Sequence, residues 1–230
     1  MSRSGFTKVL LAVFGMLMAD MTARASVVLN FTGAEGNNSG GVYVYPYDFS
    51  INSSSATTLL MCDDFSDHIS APETWTAELL PVPDLNNSTL GGLEFPSAGV
   101  TEYLEASYLF LEEVNAYNNS NSDSQGLYNW AVWDLLTNSD ASSVLGSEDA
   151  TVQNYLSAAE AIGGSLSPSQ FNGVVIYTPD PDQMESEGPP QEFMGYSPPV
   201  GPVPEPSTLA LLGIGSVALL ARRRKNSAAI

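Results

Sequence analysis

Between Ser26 and Val203 the chain contains neither lysine nor arginine. All seven basic residues stand outside that stretch, at Arg3, Lys8 and Arg24 on one side and at Arg222, Arg223, Arg224 and Lys225 on the other. Of the 26 acidic residues only Asp20 and Glu205 lie outside it. No carboxylate of this body can pair with a Lys or Arg of its own, so self-repulsion has to be met by cations or by spacing. A Lys-to-Asn isopeptide cross-link is excluded for want of lysine. Nucleic acid and anionic lipid are opposed as partners, since nothing neutralises their phosphates. Calcium suits carboxylate oxygens, but no EF-hand loop or glycine-rich calcium repeat occurs, and the sequence calls for no metal or cofactor.

The basic residues mark two terminal segments of a different kind. At the N-terminus Arg3 and Lys8 precede an apolar run, Val9 to Met18, and a small-x-small site, Ala23-Arg24-Ala25. This is the pattern of a secretory signal peptide, residues 1–25, with cleavage by signal peptidase expected after Ala25. At the C-terminus Pro204-Glu205-Pro206 is extended, because each proline fixes φ and lacks an N–H. Leu209 to Ala221 follows without a charge. As a helix, about 13 residues reach roughly 20 Å, short of the ~30 Å hydrocarbon core. A span over 207–221 is therefore marginal, and Arg222, Arg223 and Arg224 favour its cytoplasmic end, which leaves the body outside.

These three parts, in this order and at the terminus, resemble the PEP-CTERM sorting signal of Gram-negative bacteria. The resemblance implies that exosortase, a membrane protease, recognises the tripeptide and removes or exchanges the tail. It speaks of destination: transit through the inner membrane on a C-terminal anchor, then the cell surface or extracellular matrix.

The body reads as one domain, 26–196, followed by a linker and sorting segment, 197–230. Strands are expected at Val27–Thr32, Gly41–Tyr47, Ala56–Cys62 and Glu73–Leu80, the last with Trp75 and Ala77 on one face. Helices are expected at Thr101–Tyr117, Gly126–Thr137 and Ser147–Ala161, with Ser147 as the N-cap of the third. Phe171–Tyr177 reads as a late strand, and after Thr178 the chain turns proline- and acid-rich, as a linker does. Strands, then helices, then a strand indicate an α+β fold, a small sheet or barrel packed with about three helices. Glu112-Glu113 is expected on the exposed face of the long helix, and Trp130 and Trp133 in the core.

Cys62 is the chain's one cysteine, so no internal disulfide is possible. It ends a strand in "LLMCDDF", and a later helix reads "LYNWAVWDLL". Together these resemble the bacterial thioester domain, in which a Cys thiolate attacks a helix Gln carboxamide, ammonia leaves and an internal thioester forms. The resemblance places Cys62 at the cysteine, with Ala131 and Trp133 on the helix. At the amide position this chain has Asn129, one methylene short. Gln125, one helical turn earlier, offers the longer amide only if the helix extends back through Gly126. A misplacement of about 1 Å can cost roughly 100-fold in rate. The reading is a thioester-domain-like scaffold with Cys62 as a buried thiol, alongside a working thioester as the alternative.

His68 is six residues from Cys62, but no orienting residue or oxyanion loop accompanies the two. Asp63, Asp64, Asp67 and His68 could hold a divalent cation or form a solvated acidic turn. The expectation is an exported, exosortase-sorted protein of the cell surface or exopolysaccharide, non-enzymatic and binding or structural. A covalent adhesin and a secreted matrix-acting hydrolase are the alternatives.

Overall fold

The computed structural model describes residues 24–197 apart from 35–36, 122–123, 125, 140 and 182–188. In chain order the strands are β1 Ser26–Gly33, β2 Asn38–Ser39, β3 Val42–Tyr43, β4 Tyr47–Ile51, β5 Thr57–Cys62, β6 Glu73–Pro81, β7 Val174–Pro179 and β8 Phe193–Tyr196. The helices are α1 Gly99–Asn118, α2 Leu127–Thr137, α3 Ala141–Leu145 and α4 Asp149–Gly163. Six strands close into a barrel in the order β1-β4-β5-β8-β7-β6, every pairing antiparallel. The α+β class is as expected, with α1, α2 and α4 as the three substantial helices.

Alternation sets the barrel's interior. Val27, Leu29 and Phe31 of β1, Tyr47, Phe49 and Ile51 of β4, and Trp75 and Ala77 of β6 are buried. Their chain neighbours point outward, as a period of two requires. Phe193 of β8 meets Phe49 and Trp75 inside, with ring centroids 4.8 and 6.2 Å apart. The wall made by β5, β8 and β7 is covered on its outer face too. β7 is buried at every residue, and Met194 of β8 lies against Ser107 of α1. A strand buried on both faces loses its alternation and becomes a continuous apolar run, "VVIY".

Several sequence expectations shift here. The barrel strand is Tyr47–Ile51 rather than Gly41–Tyr47. Pro46 has no N–H to offer a ladder, so the chain before it forms only the small β2–β3 hairpin. Phe171 ends a 3-10 turn over Pro168–Phe171, held by a capping box between Ser167 and Gln170, and the strand begins at Val174. Ser147 is not an N-cap. It lies in a 3-10 turn, Gly146–Glu148, whose flanking residues are already helical, so the extended conformation a capping residue needs never arises. Most consequentially, the chain after Thr178 is not all linker. It returns as β8, between β5 and β7, and closes the barrel.

Gly195 sits where β8 crosses Leu60, and a Cβ there would collide with that leucine's side chain. Close approach of β5 and β8 therefore depends on glycine at this position.

The described residues from Ala25 onward belong to one compact unit, Ala25–Pro199. Among the described residues no helix is long and apolar enough to cross a membrane. The expected span at 207–221 lies outside them, as do Pro204, Glu205, Pro206, Arg222, Arg223, Arg224 and Ala23.

Candidate functional site

β5 ends at Cys62, whose register partner is Phe193, and Leu60 pairs with both Tyr47 and Gly195. Residues directly opposite share a face, so Cys62 lies on the interior face with Tyr47 and Phe193. Its thiol is wholly buried and donates to the Asp64 carbonyl at 2.9 Å. Burial pushes the thiol pKa well up, and the Asp64 and Asp63 carboxyls push it further, against the smaller opposing pull of the Asp64 backbone N–H and the Trp133 indole. Thiolate, the nucleophilic form, is thereby disfavoured.

α2 brings Asn129 to the same place, as the sequence suggests. Its amide nitrogen donates to the Cys62 carbonyl at 2.7 Å, and its oxygen accepts from the Tyr45 N–H at 3.0 Å. Both ends of this buried carboxamide are thus engaged with backbone, one on each side of the barrel mouth. Gln125 lies outside the described residues.

The start of α2 explains why Asn129 is held so firmly. Gly126 adopts φ +80° and donates its N–H to both Glu113 carboxylate oxygens, at 3.0 and 3.1 Å. The Tyr128 and Asn129 N–H groups also favour the Glu113 charge, while burial pushes its pKa up to about 7. A carboxylate at a helix N-terminus satisfies orphan donors and complements the dipole. Glu113 is accordingly wholly buried and not on the exposed face of the long helix. Its position was legible: Leu109, Phe110 and Ala116, at spacings of three and four, are all buried.

The two acids after Cys62 are buried as well. Asp64 accepts the N–H groups of Ser66 and Asp67 at 2.7 and 3.3 Å, which organises the loop beyond it. Its pKa rises to about 7, chiefly through burial. Asp63 faces Glu192, and among the described residues no amide or hydroxyl donor bonds to either Asp63 oxygen. Burial first, and then the Glu192 charge, raise the Asp63 pKa, while Glu192 is itself raised by burial. With no Lys or Arg to neutralise them, the two carboxyls can lie together by sharing a proton. Glu192 is fixed by the Tyr103 hydroxyl at 2.8 Å, the Glu94 N–H at 3.0 Å and the Thr178 hydroxyl at 2.5 Å. Gln191 donates to the Asp64 and Asp67 carbonyls, at 2.7 and 2.5 Å. These two residues staple β8 to the loop after Cys62, and the sequence reading missed both.

No group of three or more His, Cys, Asp or Glu among the described residues is arranged to hold a metal ion. Asp63, Asp64, Asp67 and His68 diverge: the first two turn inward, and His68 is exposed. Trp130 and Trp133 are core residues. Beside Trp133 a cavity of about 400 Å³ opens at the barrel mouth, between the β2–β3 hairpin and the loop after Asp64.

A model of the PEP-CTERM protein-sorting motif matches residues 202–225. The chain carries a PEP-CTERM sorting motif. The motif implies export, a C-terminal membrane anchor in transit, and exosortase as the processing partner. The match does not extend into the body. No curated protein and no solved structure matches the chain.

Proposed function

We propose that this is an exported, exosortase-sorted protein of the cell surface or exopolysaccharide, non-enzymatic, whose body is a thioester-domain-like barrel that binds rather than reacts. The observation that carries the reading is the Asn129 carboxamide, whose oxygen and nitrogen are both spent on backbone. Attack on its carbonyl carbon by Cys62 would require a thiolate that burial and two carboxyls disfavour. It would also require release of the Cys62 and Tyr45 bonds. Asn129 acts instead as a junction, joining the end of β5 to the segment before β4. A hydrolase reading would need carboxylates that touch substrate, whereas the Asp63–Glu192 pair is wholly enclosed. In this reading signal peptidase and exosortase process the two ends, with the body as 26–196 and the tail as 197–230.

Intact mass of the exported, processed protein tests it. The reading expects the mass computed for an unmodified body, unchanged in relation to Cys62→Ala apart from the substitution itself. A mass lower by one ammonia, restored by Cys62→Ala, would establish the covalent adhesin instead.

A further inference from the structure

The cavity at the barrel mouth is walled by aromatic rings. Phe31 and Tyr47 come from the barrel, Tyr43 from the β2–β3 hairpin, Phe65 from the loop and Trp133 from α2. The rings brace one another, with Phe65 and Trp133 centroids 5.1 Å apart and Phe31 and Tyr47 5.9 Å apart. Trp133 and Tyr47 are nearly buried, which fixes the floor, whereas Tyr43 is 56% exposed at the rim. Such a wall is set before any ligand arrives.

Its polar lining is mixed: Asn38, whose oxygen is taken by the Gly41 N–H, and His68 stand beside the acceptors Gln191, Tyr47 and Asp67. The Gln191 amide nitrogen is consumed by the Asp64 and Asp67 carbonyls, which leaves its oxygen as the end available to a ligand. The Tyr47 hydroxyl donates to the Tyr43 carbonyl at 2.7 Å, which leaves its lone pairs. Asp67 adds a carboxylate to the same wall. Around this the body supplies no Lys or Arg at all. An anion would meet only repulsion from such a body. An ammonium group gains from ring faces, from oxygen acceptors and from the field of the whole body.

We propose that this cavity binds an organic ammonium group, a protonated amine carried on a short apolar stem. The inference rests on the reading of the barrel as a binding module. The stem lies against Phe31, Phe65 and Trp133, while the charge reaches Asp67 and Gln191. Lysine side chains and amino sugars both present this chemistry.

The test is titration of the full chain in non-ionic detergent, followed by calorimetry and tryptophan fluorescence. Benzylammonium is compared with benzyl alcohol, which has the same ring and reach without the charge. The expected result is benzylammonium binding at least about tenfold tighter than the alcohol. Asp67→Asn should weaken the amine by about fivefold and leave the alcohol unchanged. Tyr43→Ala should weaken the amine without altering the melting curve. Competition by Nα-acetyllysine amide or by glucosamine supports the proposal and identifies the source of the amine. Equal binding of amine and alcohol, no response to the amine, or saturation by cellotetraose with none by the amine would each overturn it. Intact mass after the titration separates this from the underlying reading. A benzylamine adduct surviving denaturation refutes the non-covalent module, whereas absence of charge preference with unchanged mass refutes the ligand class alone.

Discussion

Asn129→Ala isolates the junction at the barrel mouth. The substitution removes both hydrogen bonds of the side chain, leaving the Cys62 carbonyl and the Tyr45 N–H without their partner. Asn129 is wholly buried, so water does not readily replace it. An orphaned buried backbone group costs about 1–3 kcal/mol. Two of them, with partial relaxation, give a loss of about 3 kcal/mol, a large share of the roughly 5–15 kcal/mol that holds a domain together. For a chain of this size that lowers Tm by roughly 6–12 °C. Urea titration of the full chain by tryptophan fluorescence, with thermal melts by circular dichroism, gives the number. Asn129→Asp sharpens the test. As a carboxylate it keeps an acceptor for Tyr45 but turns an oxygen toward the Cys62 carbonyl; protonated, it donates there as the amide did. Its folded pKa is therefore raised, and its stability should fall as pH rises and recover in acid. A loss below about 0.5 kcal/mol for Asn129→Ala, within the range of an ordinary surface change, would refute the junction.

The buried acids make the whole body pH-sensitive in the same direction. Folded Asp64 and Glu113 titrate at about 7, well above their unfolded values, so the native state holds more protons in between. Stability is full below the unfolded values and declines as pH rises toward 7; melts should give a higher Tm at pH 5 than at pH 8. Glu113→Gln keeps an acceptor for Gly126 but cannot titrate, and should flatten that slope. Gly126→Ala should cost about 1–3 kcal/mol by chemical denaturation, because φ is +80° and a Cβ would lie 2.7 Å from Val44. Asn129→Gln should cost about 1–3 kcal/mol through overpacking, with intact mass showing no ammonia loss.

What the sequence disclosed followed from periodicity. β1 alternates along its length and β6 does so from Glu73 to Ala77, and α1 and α2 carry broad apolar faces, so their places in the core were plain. The pairing of Cys62 with Asn129 came from a resemblance between two short stretches, and the contact the structure shows runs from the Asn129 amide to the Cys62 backbone carbonyl, not to its thiol. β8 was hidden because four residues among prolines and acids carry too little pattern, and its burial comes from both the barrel and α1. The same cause hid Glu192. A carboxylate in a body without Lys or Arg looks like surface, yet hydroxyls from Tyr103 and Thr178, far apart in sequence, make an interior place for it. Tyr45 enters through its backbone N–H, which no side-chain motif announces.

The central claim is that Cys62 remains a thiol. Alkylation of the exported protein with iodoacetamide in denaturant, before and after hydroxylamine, tests it most directly. The account predicts complete labelling of Cys62 at once, with no increase after hydroxylamine. Labelling that appears only after hydroxylamine would mean an acyl–sulfur bond in the native protein and would contradict it.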